Sequence, residues 1–329
     1  MKKIIAALLF SAVTLSLCSC DRVEKFTKRD VTLFDTETVI TGYEVSEEAF
    51  EKTAGDVLDC LTEYHRLCDI YNEYQGLNNL KTVNDNAGKK PVEVDKKLID
   101  VIEFGKEMYA LTQGKTNIAI GSVTSIWHRF REEGKSLPPI WLLEKASEHT
   151  DIEKVICDRD ACTVFLEDGE MSLDVGAIAK GYATEAAAKM LFEEKKTGFA
   201  LSVGGNIRTV GTKGDGTPWI TGIENPMDNA DEAIIEKVEL ESSAAVTSGS
   251  YQRYYEVEGK RYHHIIDPET LMPKDDYLSV TVIYEDSGVS DALSTALFNM
   301  AEEDGRAILD SLGADGVWVY PDGRVSKTY

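Results

Sequence analysis

The stretch Leu173-Asp174-Val175-Gly176-Ala177-Ile178-Ala179-Lys180-Gly181-Tyr182 joins a predicted strand, Met171 to Val175, to a predicted Ala-rich helix, Ala177 to Glu194. The strand brings the Asp174 carboxylate to the turn, and the small residues that follow let the backbone approach a ligand closely. Lys180 lies in the first helical turn, where a cation opposes the helix dipole. An anionic partner is one explanation of that position, and a solvated lysine is the other. The spacing differs from G-x-G-x-x-G and therefore excludes the Rossmann fingerprint.

Helices and strands are mixed on both sides of this stretch. Several hairpins interrupt them, which predicts an α+β fold with mixed or antiparallel sheets rather than a doubly wound one. We expect one domain at residues 31–329, preceded by a polar tether at residues 20–30. The predicted elements include the strands Val31 to Glu44, Phe199 to Val203 and Leu278 to Tyr284, and helices whose N-caps are Ser46, Asp95 and Ser290.

The composition is that of an ordinary globular protein with a strong acidic bias. Of 329 residues, 43% are hydrophobic and 28% charged, which excludes disordered, collagen-like and multispan membrane proteins. With 58 acidic and 35 basic residues the net charge is −23, so the surface repels phosphate backbones and we expect no nucleic-acid partner. A small anionic substrate would need a metal ion or helix N-termini to hold it.

The N-terminus is typical of an export signal with a lipid attachment site. A basic start, Met1-Lys2-Lys3, precedes an apolar run from Ile4 to Leu17 that is too short to span a bilayer. Leu17-Cys18-Ser19-Cys20 resembles a bacterial lipobox, with Cys20 as the acceptor and residues 1–19 as the cleaved signal peptide. A diacylglycerol on Cys20 would hold the protein to the cell membrane, facing the extracytoplasmic side. The alternative is a plain secretory signal with two incidental cysteines.

Four cysteines remain in the mature chain. Cys60 and Cys68 are eight positions apart on a predicted helix, about 12 Å along its axis, which is too far for a disulfide. Cys157 and Cys162 flank a predicted hairpin loop. An exported protein can form a disulfide there or keep two buried thiols, and the sequence leaves both alternatives open.

The segment Ser290-Asp291-Ala292-Leu293-Ser294-Thr295 is a candidate metal site. Ser290 is a good N-cap, which would place Asp291 in the first turn of a helix and Thr295 four residues later on the same face. A carboxylate and a hydroxyl stacked there offer two hard oxygen ligands at the positive end of a helix, which suits Mg²⁺ carrying a diphosphate. The alternative is helix capping, with Thr295 bonded to a backbone carbonyl.

Two further segments carry candidate residues. Gly204-Gly205 follows a buried strand, and either ligand approach or close packing of two backbones explains the pair. The adjacent His263 and His264 point opposite ways on a strand, so they do not readily share one zinc ion. One of them is either a general base near a phosphate site or a structural histidine at a strand end. The chain contains no G-x-S-x-G, H-E-x-x-H or Walker A motif.

Four segments, in the same order, resemble the ApbE family of flavin:protein FMN transferases. Leu173 to Tyr182 is similar to the family's L-D-L-G-G-I-A-K-G-Y, and Ala200 to Gly211 is similar to its V-N-L-G-G-D-I-R stretch. Ala245 to Pro268 resembles A-T-S-G-x-Y followed by Y-x-H-I-I-D-P, and Ser290 to Thr295 resembles A-D-A-L-S-T. The match begins near Phe34 and runs to the end of the chain, and a lipobox at the front is usual in this family.

The resemblance implies a reaction and a set of site residues. The enzyme would bind FAD with Mg²⁺, cleave the pyrophosphate, pass FMN to a Thr or Ser hydroxyl of an exported redox protein, and release AMP. His264 would be the base for the acceptor hydroxyl. The ion would be held by Asp291, Thr295 and the Ala177 carbonyl, with Ser294 contributing, and FAD would contact Phe34, Tyr71, Lys115, Thr116, Asn117, Asp174, Lys180 and Ile265.

Two other functions use the same residues. One is an Mg²⁺-dependent FAD pyrophosphatase, in which water replaces the protein hydroxyl and FMN and AMP are released. The other is a non-catalytic lipoprotein that binds flavin. The sequence also departs from the family pattern while keeping the metal residues. The departures are Phe34-Asp35-Thr36 in place of M-G-T, three residues in place of Asp (Asn117, Asn206 and Ser250), and Leu271-Met272-Pro273 in place of T-G.

Overall fold

The computed structural model describes residues 23–227 and 232–329, which form an α+β fold, as the sequence predicts. The predicted signal peptide and Cys20 lie outside the described residues. None of the helices in the described ranges has the length and apolar character that crossing a membrane requires. The helices are α1 (Glu47–Cys68), α2 (Leu80–Asp85), α3 (Lys96–Leu111), α4 (Gly121–Glu133), α5 (Ile140–Ser147), α6 (Ala179–Glu193), α7 (Ser287–Phe298) and α8 (Glu302–Leu312). The strands are β1 (Glu24–Asp30), β2 (Thr38–Glu44), β3 (Val92–Glu93), β4 (Val155–Asp158), β5 (Thr163–Leu166), β6 (Phe199–Val203), β7 (Asn206–Val210), β8 (Trp219–Glu224), β9 (Ile234–Leu240), β10 (Ala244–Gly249), β11 (Tyr254–Val257), β12 (Lys260–His263), β13 (Ser279–Tyr284), β14 (Asp315–Val319) and β15 (Val325–Lys327).

An eight-stranded antiparallel sheet organises these elements. Its strand order is β1-β2-β6-β7-β10-β13-β14-β15. Helices α1, α6 and α7 pack on one face of the sheet. On the other face lies the β8–β9 hairpin, where Trp219 and Leu240 pack with Ala245 and Val317. Burial of both faces explains why the central strands are apolar on both sides.

Helix α7 is the central helix of the fold. It contacts α6 and the strands β10 and β13, and ten of its 12 residues are buried. Leu293, Leu297 and Phe298 belong to an apolar core that covers this face of the sheet. Four of its polar residues are buried as well: Ser287, Ser290, Asp291 and Ser294. Burial of a carboxylate is unfavourable unless polar or charged groups bind it. The groups that bind Asp291 therefore mark the position of the site.

The tether predicted at residues 20–30 is wrong over Glu24–Asp30, because these residues form β1. The strand pairs with β2 along its whole length, from Glu24 opposite Glu44 to Asp30 opposite Thr38. Phe26 stacks on Phe50 of α1, with ring centroids 5.5 Å apart. An edge strand keeps many charged residues, since one side of it stays in water. This polar, charged composition was the reason for predicting a tether.

Two boundaries near the site also differ from the prediction. Met171 to Val175 is not a strand, since only Ser172 forms an isolated bridge, to Ile120. Its neighbours bond elsewhere, because the Leu173 N–H donates to the Asn84 side chain. Helix α7 begins three residues earlier than predicted, since Asp286 is its cap and accepts from two backbone N–H groups.

Helix α7 therefore places Asp291 in its second turn rather than its first, and Ser290 is not the cap. Helices α4 and α8 had no counterpart among the predicted elements. Cys60, Cys68, Cys157 and Cys162 are all free thiols. In the β4–β5 hairpin Cys157 lies opposite Val164 rather than Cys162.

A buried ion pair fixes α6 against the sheet and α7. The Arg208 guanidinium donates to the Glu185 carboxylate at 2.7 Å, with side chains 5% and 7% exposed. The backbone N–H of Ser287, at the start of α7, donates to the same carboxylate at 2.9 Å. One acidic side chain thus links β7, α6 and α7.

We expect Glu185→Ala to lower the free energy of unfolding by about 3–5 kcal/mol, because it leaves the Arg208 charge buried without a counterion. Urea denaturation of the purified protein measures this loss. Asp56→Ala, which breaks the exposed Lys52–Asp56 pair of α1, is the matched control and should change the unfolding midpoint little. Equal losses in both variants would contradict the role assigned to the buried pair.

Candidate active site

The site is built where the start of α6 crosses α7. The backbone N–H of Gly181 donates to Asp291 Oδ2 at 2.8 Å. A Cβ atom on Gly181 would overlap the Asp291 Cβ and the Ser287 carbonyl oxygen, and would lie 3.0 Å from Asn206 Nδ2. Only glycine therefore permits this approach of the two helices. The Lys-Gly-Tyr part of the sequence motif thus has a packing reason as well as a chemical one.

Asp291 is 5% exposed. Burial raises the pKa of its carboxyl group, while the Lys180 charge, the Gly181 N–H and the Asn206 amide lower it. The Lys180 ammonium lies 3.8 Å from Asp291 Oδ2 and donates to the Gly176 carbonyl at 3.3 Å. A cation therefore lies between a carboxylate and a loop carbonyl. Of the two explanations for Lys180, the structure shows the anionic partner, and it is Asp291.

The Ala177 carbonyl is free for a ligand. In a regular helical turn the N–H of Gly181 would bond to the carbonyl four residues before it, that of Ala177. Here that N–H is directed to Asp291 instead. The next N–H, of Tyr182, does make the helical bond, to Ile178 at 2.9 Å. Within the described part of the chain, no donor bonds to the Ala177 oxygen.

The hydroxyl groups of Ser248, Ser294 and Thr295 form a cluster one turn along α7 from Asp291. The Ser294 hydroxyl donates to the Asp291 carbonyl at 2.9 Å and lies 2.8 Å from Ser248 Oγ in β10. Ser248 Oγ is also 3.3 Å from Thr295 Oγ1. Thr295 thus contacts a side chain, and not the backbone carbonyl of the capping alternative. The sequence alone assigned no role to Ser248. Side chains alternate along β10, so Ser248 lies on the same face of the sheet as Val246.

These donors fit a divalent cation of the magnesium type. A carboxylate, a hydroxyl and a backbone carbonyl are the hard oxygen ligands that Mg²⁺ takes. The described residues contain no cluster of three or more His, Cys, Asp or Glu side chains that would hold a metal alone. A cation at Asp291 would therefore complete its coordination with water or with substrate oxygens, which is how Mg²⁺ usually binds phosphates.

Three other predicted FAD-binding residues are Phe34, Tyr71 and Asp174, and the charge of Asp174 acts on Tyr71. Phe34 has a left-handed backbone, with φ of 54°, and its N–H donates to the His65 ring at 3.2 Å. Tyr71 is 59% exposed, and its pKa is raised by burial of its hydroxyl and by the negative charge of Asp174. Asp174 itself accepts from Thr124 Oγ1 at 2.7 Å and from the backbone N–H of Gly176 at 2.9 Å. Asp174 thereby shapes the turn into α6.

Lys115, Thr116 and Asn117 direct their polar groups into the protein. The Lys115 ammonium pairs with the buried Asp267 at 3.0 Å and with Glu269 at 2.9 Å. The Thr116 hydroxyl donates to the Ala292 carbonyl of α7 at 2.7 Å. The Asn117 side chain caps a turn and donates to the Thr150 carbonyl at 3.0 Å. Contacts of these side chains with FAD stay predictions. In the structure Thr116 supports α7, and Lys115 supports the loop after β12.

His264 lies at the end of β12 with one ring nitrogen committed. Its Nδ1 is 3.2 Å from the Arg253 carbonyl oxygen, so Nδ1 carries the proton and donates, and Nε2 keeps its lone pair. The residue has an exposed edge, yet protein surrounds much of the ring. This loss of solvation, together with the positive charges of Lys180 and Arg253, lowers the pKa of His264 and keeps the imidazole neutral.

Its neighbour His263 is the structural histidine of the pair. It is buried, and its Nε2 donates to the Lys274 carbonyl at 2.7 Å. Its Nδ1 accepts from the backbone N–H of Ile265 at 3.2 Å, which fixes that predicted FAD-binding residue in a buried position. The structural alternative therefore holds for His263, and the general-base role of His264 stays a prediction. Lys180 connects the two parts of the site, since its charge acts on both Asp291 and His264.

Comparison with known proteins identifies the relatives of this chain. The chain matches the model of the ApbE family over residues 34–318. It is 33% identical over 260 residues to an FAD:protein FMN transferase of Klebsiella pneumoniae (strain 342), covering 79% of each chain. It is 32% identical over 261 residues to an FAD:protein FMN transferase of Treponema pallidum (strain Nichols), covering 75% of this chain and 72% of that one. The crystal structure of an ApbE protein from Thermotoga maritima matches with a TM-score of 0.82 at 29% identity, covering 93% of this chain and 97% of that one.

The chain belongs to the ApbE family. It is a transferase, as the names of its relatives state of them, and its α+β fold is the ApbE fold.

One departure from the family pattern now has a physical consequence. Asn206, in the position of an aspartate, accepts from the Ser287 hydroxyl at 2.5 Å, and its side-chain amide lowers the pKa of the neighbouring Asp291 carboxyl group. An amide here avoids a second buried carboxylate beside Asp291.

We expect Gly181→Ala to lower the free energy of unfolding by about 1–3 kcal/mol, because the new methyl group forces α6 and α7 apart. Urea denaturation measures the loss. Gly55→Ala in α1 is the matched control, since nothing lies within 4 Å of its added Cβ. That change should stabilise the protein by up to about 1 kcal/mol through helix propensity. Similar effects at both glycines would contradict the close approach described for Gly181.

The tautomer and environment of His264 predict its titration. Because its pKa is lowered from the ordinary 6.5, the imidazole should stay neutral until the pH falls well below that value. Proton NMR of the protein without added metal measures the midpoint, and His264→Gln identifies the resonance by removing it. The lowered pKa also means that this group reduces folding stability only as the pH falls below 6.5. A midpoint at or above 6.5 would contradict the assigned environment.

Proposed function

We propose that this protein transfers FMN from FAD to a threonine or serine hydroxyl of an exported redox protein, depends on Mg²⁺, and releases AMP. The observation that carries the proposal is the junction of α6 and α7. There the Gly181 N–H turns to Asp291 and leaves the Ala177 carbonyl unbonded, beside Lys180. Family membership supports flavin as the transferred group, because the relatives in Klebsiella and Treponema are named FAD:protein FMN transferases.

In this proposal Asp291, Thr295 and the Ala177 carbonyl hold the ion. The ion would offset the negative charge of the two phosphates and polarise the phosphorus that is attacked. Ser294 is fully buried and both its hydrogen bonds are made within the protein. We therefore assign it to positioning Ser248 and Asp291 and not to direct contact with the ion.

His264 accepts the proton of the attacking hydroxyl at Nε2, since Nδ1 already donates to Arg253. The hydroxyl oxygen forms a bond to the phosphorus on the FMN side, and the anhydride bond to the AMP phosphate breaks. AMP leaves with the bridging oxygen. The charge of Lys180 acts on both Asp291 and His264, and in this proposal it compensates the negative charge that develops during this step. Positioning and charge compensation are what phosphoryl transfer requires from a protein.

One observation favours a second reaction at the same residues. His264 has an exposed edge, so water can reach its Nε2 when no acceptor protein is bound. The same base would then activate water, and FAD would be hydrolysed to FMN and AMP. This pyrophosphatase activity is a side reaction of the proposed site, suppressed when an acceptor protein excludes water from the cleft.

We also propose that Cys20 carries a diacylglycerol, which anchors the mature protein to the membrane on its extracytoplasmic side. The lipobox Leu17-Cys18-Ser19-Cys20 supports this assignment. The acceptor would then be an exported redox protein within reach of that membrane surface. Labelled palmitate incorporated by the wild type and not by Cys20→Ser would support the anchor.

The transfer proposal is tested by incubating the purified protein with FAD, Mg²⁺ and an acceptor domain that carries a target threonine. Intact-mass analysis of the acceptor is the measurement. Addition of one FMN supports transfer, and free FMN and AMP with an unchanged acceptor mass support hydrolysis alone. FAD that remains intact and bound would favour the non-catalytic flavin-binding alternative.

We expect Asp291→Asn to reduce transfer at least a hundredfold and to weaken Mg²⁺ binding in calorimetry, because the variant keeps the volume of the carboxylate and removes its charge. Asp310→Asn on the exposed side of α8 is the matched control and should retain the wild-type rate. Wild-type turnover in Asp291→Asn would remove the metal assignment. Loss in both variants would point to a general charge effect.

A further inference from the structure

We propose that Asn84 is a positioning residue of the active site, which fixes the segment Leu173 to Ala177 through the backbone of Leu173. The proposal rests on the proposed function, because this segment carries two groups assigned there to the ion and to FAD, the Ala177 carbonyl and the Asp174 carboxylate. Asn84 is the fifth residue of α2 and lies 89 residues before Leu173 in the chain. It acts through Leu173 and not by contact with the ion.

The Asn84 amide bonds to both polar backbone groups of Leu173. Its Nδ2 donates to the Leu173 carbonyl at 2.9 Å, and its Oδ1 accepts from the Leu173 N–H at 2.8 Å. Leu173 is fully buried, and nothing else in the described part of the chain bonds to either group. Buried backbone groups in native proteins nearly always have partners, and here one side chain supplies both of them.

The opposite edge of the same segment pairs with the loop before α4. The Asp174 N–H donates to the Ile118 carbonyl at 2.8 Å, and Ser172 forms a parallel bridge with Ile120. Polar backbone groups alternate in direction along an extended segment, so Leu173 faces Asn84 while its two neighbours face this loop. The amide thus replaces a second partner strand, and its removal would leave only one edge of the segment bonded.

The position of Leu173 is transmitted to the site over the next four residues. The Asp174 carboxylate accepts from the Gly176 N–H at 2.9 Å. The Val175 carbonyl accepts from two backbone N–H groups at the start of α6, at 2.9 and 2.8 Å. These bonds define the turn in which the Ala177 carbonyl lies. The turn is therefore held by α6 at one end and by Asn84 at the other.

The N-terminal end of α2 is fixed to the turn that carries Tyr71. The side chain of Asn79, the N-cap of α2, is fully buried and donates to the Asn72 carbonyl at 2.9 Å. The Tyr71 N–H, one residue earlier, donates to the Asp69 carboxylate at 2.7 Å. Helix α2 therefore joins the Tyr71 turn to the Leu173 segment, and the family resemblance implies FAD contacts for both.

Loss of the Asn84 amide would make the Ala177 carbonyl mobile without removing it. An ion that binds a mobile ligand must order it, and this ordering weakens binding. Groups that orient metal ligands without touching the ion contribute about 10- to 100-fold to metal affinity. Saturating Mg²⁺ offsets the loss, so we expect the effect in the amount of ion required. A loss of stability alone would instead lower the rate equally at every Mg²⁺ concentration, because less enzyme is folded.

The test compares Asn84→Ala with Asn86→Ala in the purified full-length protein. The Asn86 side chain donates to the Thr82 carbonyl within α2 at 2.8 Å, so the control perturbs the same helix without touching Leu173. The measurements are the transfer rate against Mg²⁺ concentration, with FAD and an acceptor domain, and a calorimetric titration with Mg²⁺ alone.

We expect Asn84→Ala to need at least tenfold more Mg²⁺ for half-maximal transfer and to bind Mg²⁺ at least tenfold more weakly. At saturating Mg²⁺ it should keep at least a third of the wild-type rate. Asn86→Ala should match the wild type in both measurements.

Asn84→Asp is the second variant, in case Asn84→Ala does not fold. It keeps the side-chain volume and the acceptor for the Leu173 N–H, but it places a carboxylate oxygen against the Leu173 carbonyl oxygen, and the two repel each other. An added negative charge by itself would favour a cation. Weaker Mg²⁺ binding in Asn84→Asp would therefore come from displacement of the segment and would support the proposal.

An unchanged Mg²⁺ requirement in the Asn84 variants, with a rate reduced at every concentration, would overturn the proposal. Equal weakening in Asn86→Ala would overturn it as well. The calorimetric comparison does not depend on transfer. A wild type that binds Mg²⁺ and leaves the acceptor unlabelled would reject the proposed function, while the calorimetry would still decide the role of Asn84. A wild type that binds no Mg²⁺ would reject the metal assignment and this inference with it.

Discussion

The hydrogen bond from Gly181 to Asp291 is the constraint on which the site depends. It requires two helices to approach until a single methyl group would not fit between them. The same bond takes the N–H away from the Ala177 carbonyl and holds the carboxylate in a buried place, where burial raises its pKa. A carboxylate so placed is unstable without a positive neighbour. Lys180 supplies that charge in the structure, and a metal ion would supply it in the proposed reaction.

The support for this contact is spread over distant parts of the chain. Glu185 and Arg208 hold α6 to the sheet, and the Glu185 carboxylate also accepts from the Ser287 N–H at the start of α7. Thr116 donates to the middle of α7 from a loop 176 residues earlier in the sequence. Lys115 pairs with Asp267 and thereby ties the same loop to the segment that carries His264. Two residues that the family resemblance implies for FAD binding thus also explain how the two halves of the site keep their relative position.

The position of Asp291 and Thr295 on one helix could be predicted from the sequence more securely than the elements around that helix, and the reason is physical. The four-residue spacing of Asp291 and Thr295 puts them on one helix face wherever the helix begins, so the wrong cap, Ser290 in place of Asp286, did not affect it. Patterns of this kind are local. The wrong strand prediction at Met171 to Val175 has a non-local cause. An apolar run is typical of a strand, but a strand forms only where another strand pairs with it. Here the Leu173 N–H bonds to the Asn84 side chain instead. The prediction for residues 24–30 was wrong in the opposite way. Their polar composition indicates a tether, yet they form a strand because they pair with β2. Ser248 was missed because its importance comes from the helix that packs on β10 and not from its own strand.

Charge balance explains how so acidic a chain accommodates a dinucleotide. In the described site Asp291 is the buried negative charge and Lys180 the positive one beside it. Asn206 replaces a possible second carboxylate with an amide, and loss of solvation, together with the charges of Lys180 and Arg253, lowers the pKa of His264. The charges of Asp291 and Lys180 therefore offset each other, even though the protein carries a net charge of −23. A divalent ion added at Asp291 would make the cleft locally positive, and the two phosphates of FAD would then restore neutrality. Substrate and metal would therefore favour each other's binding, since either one alone leaves an uncompensated charge in a partly buried site.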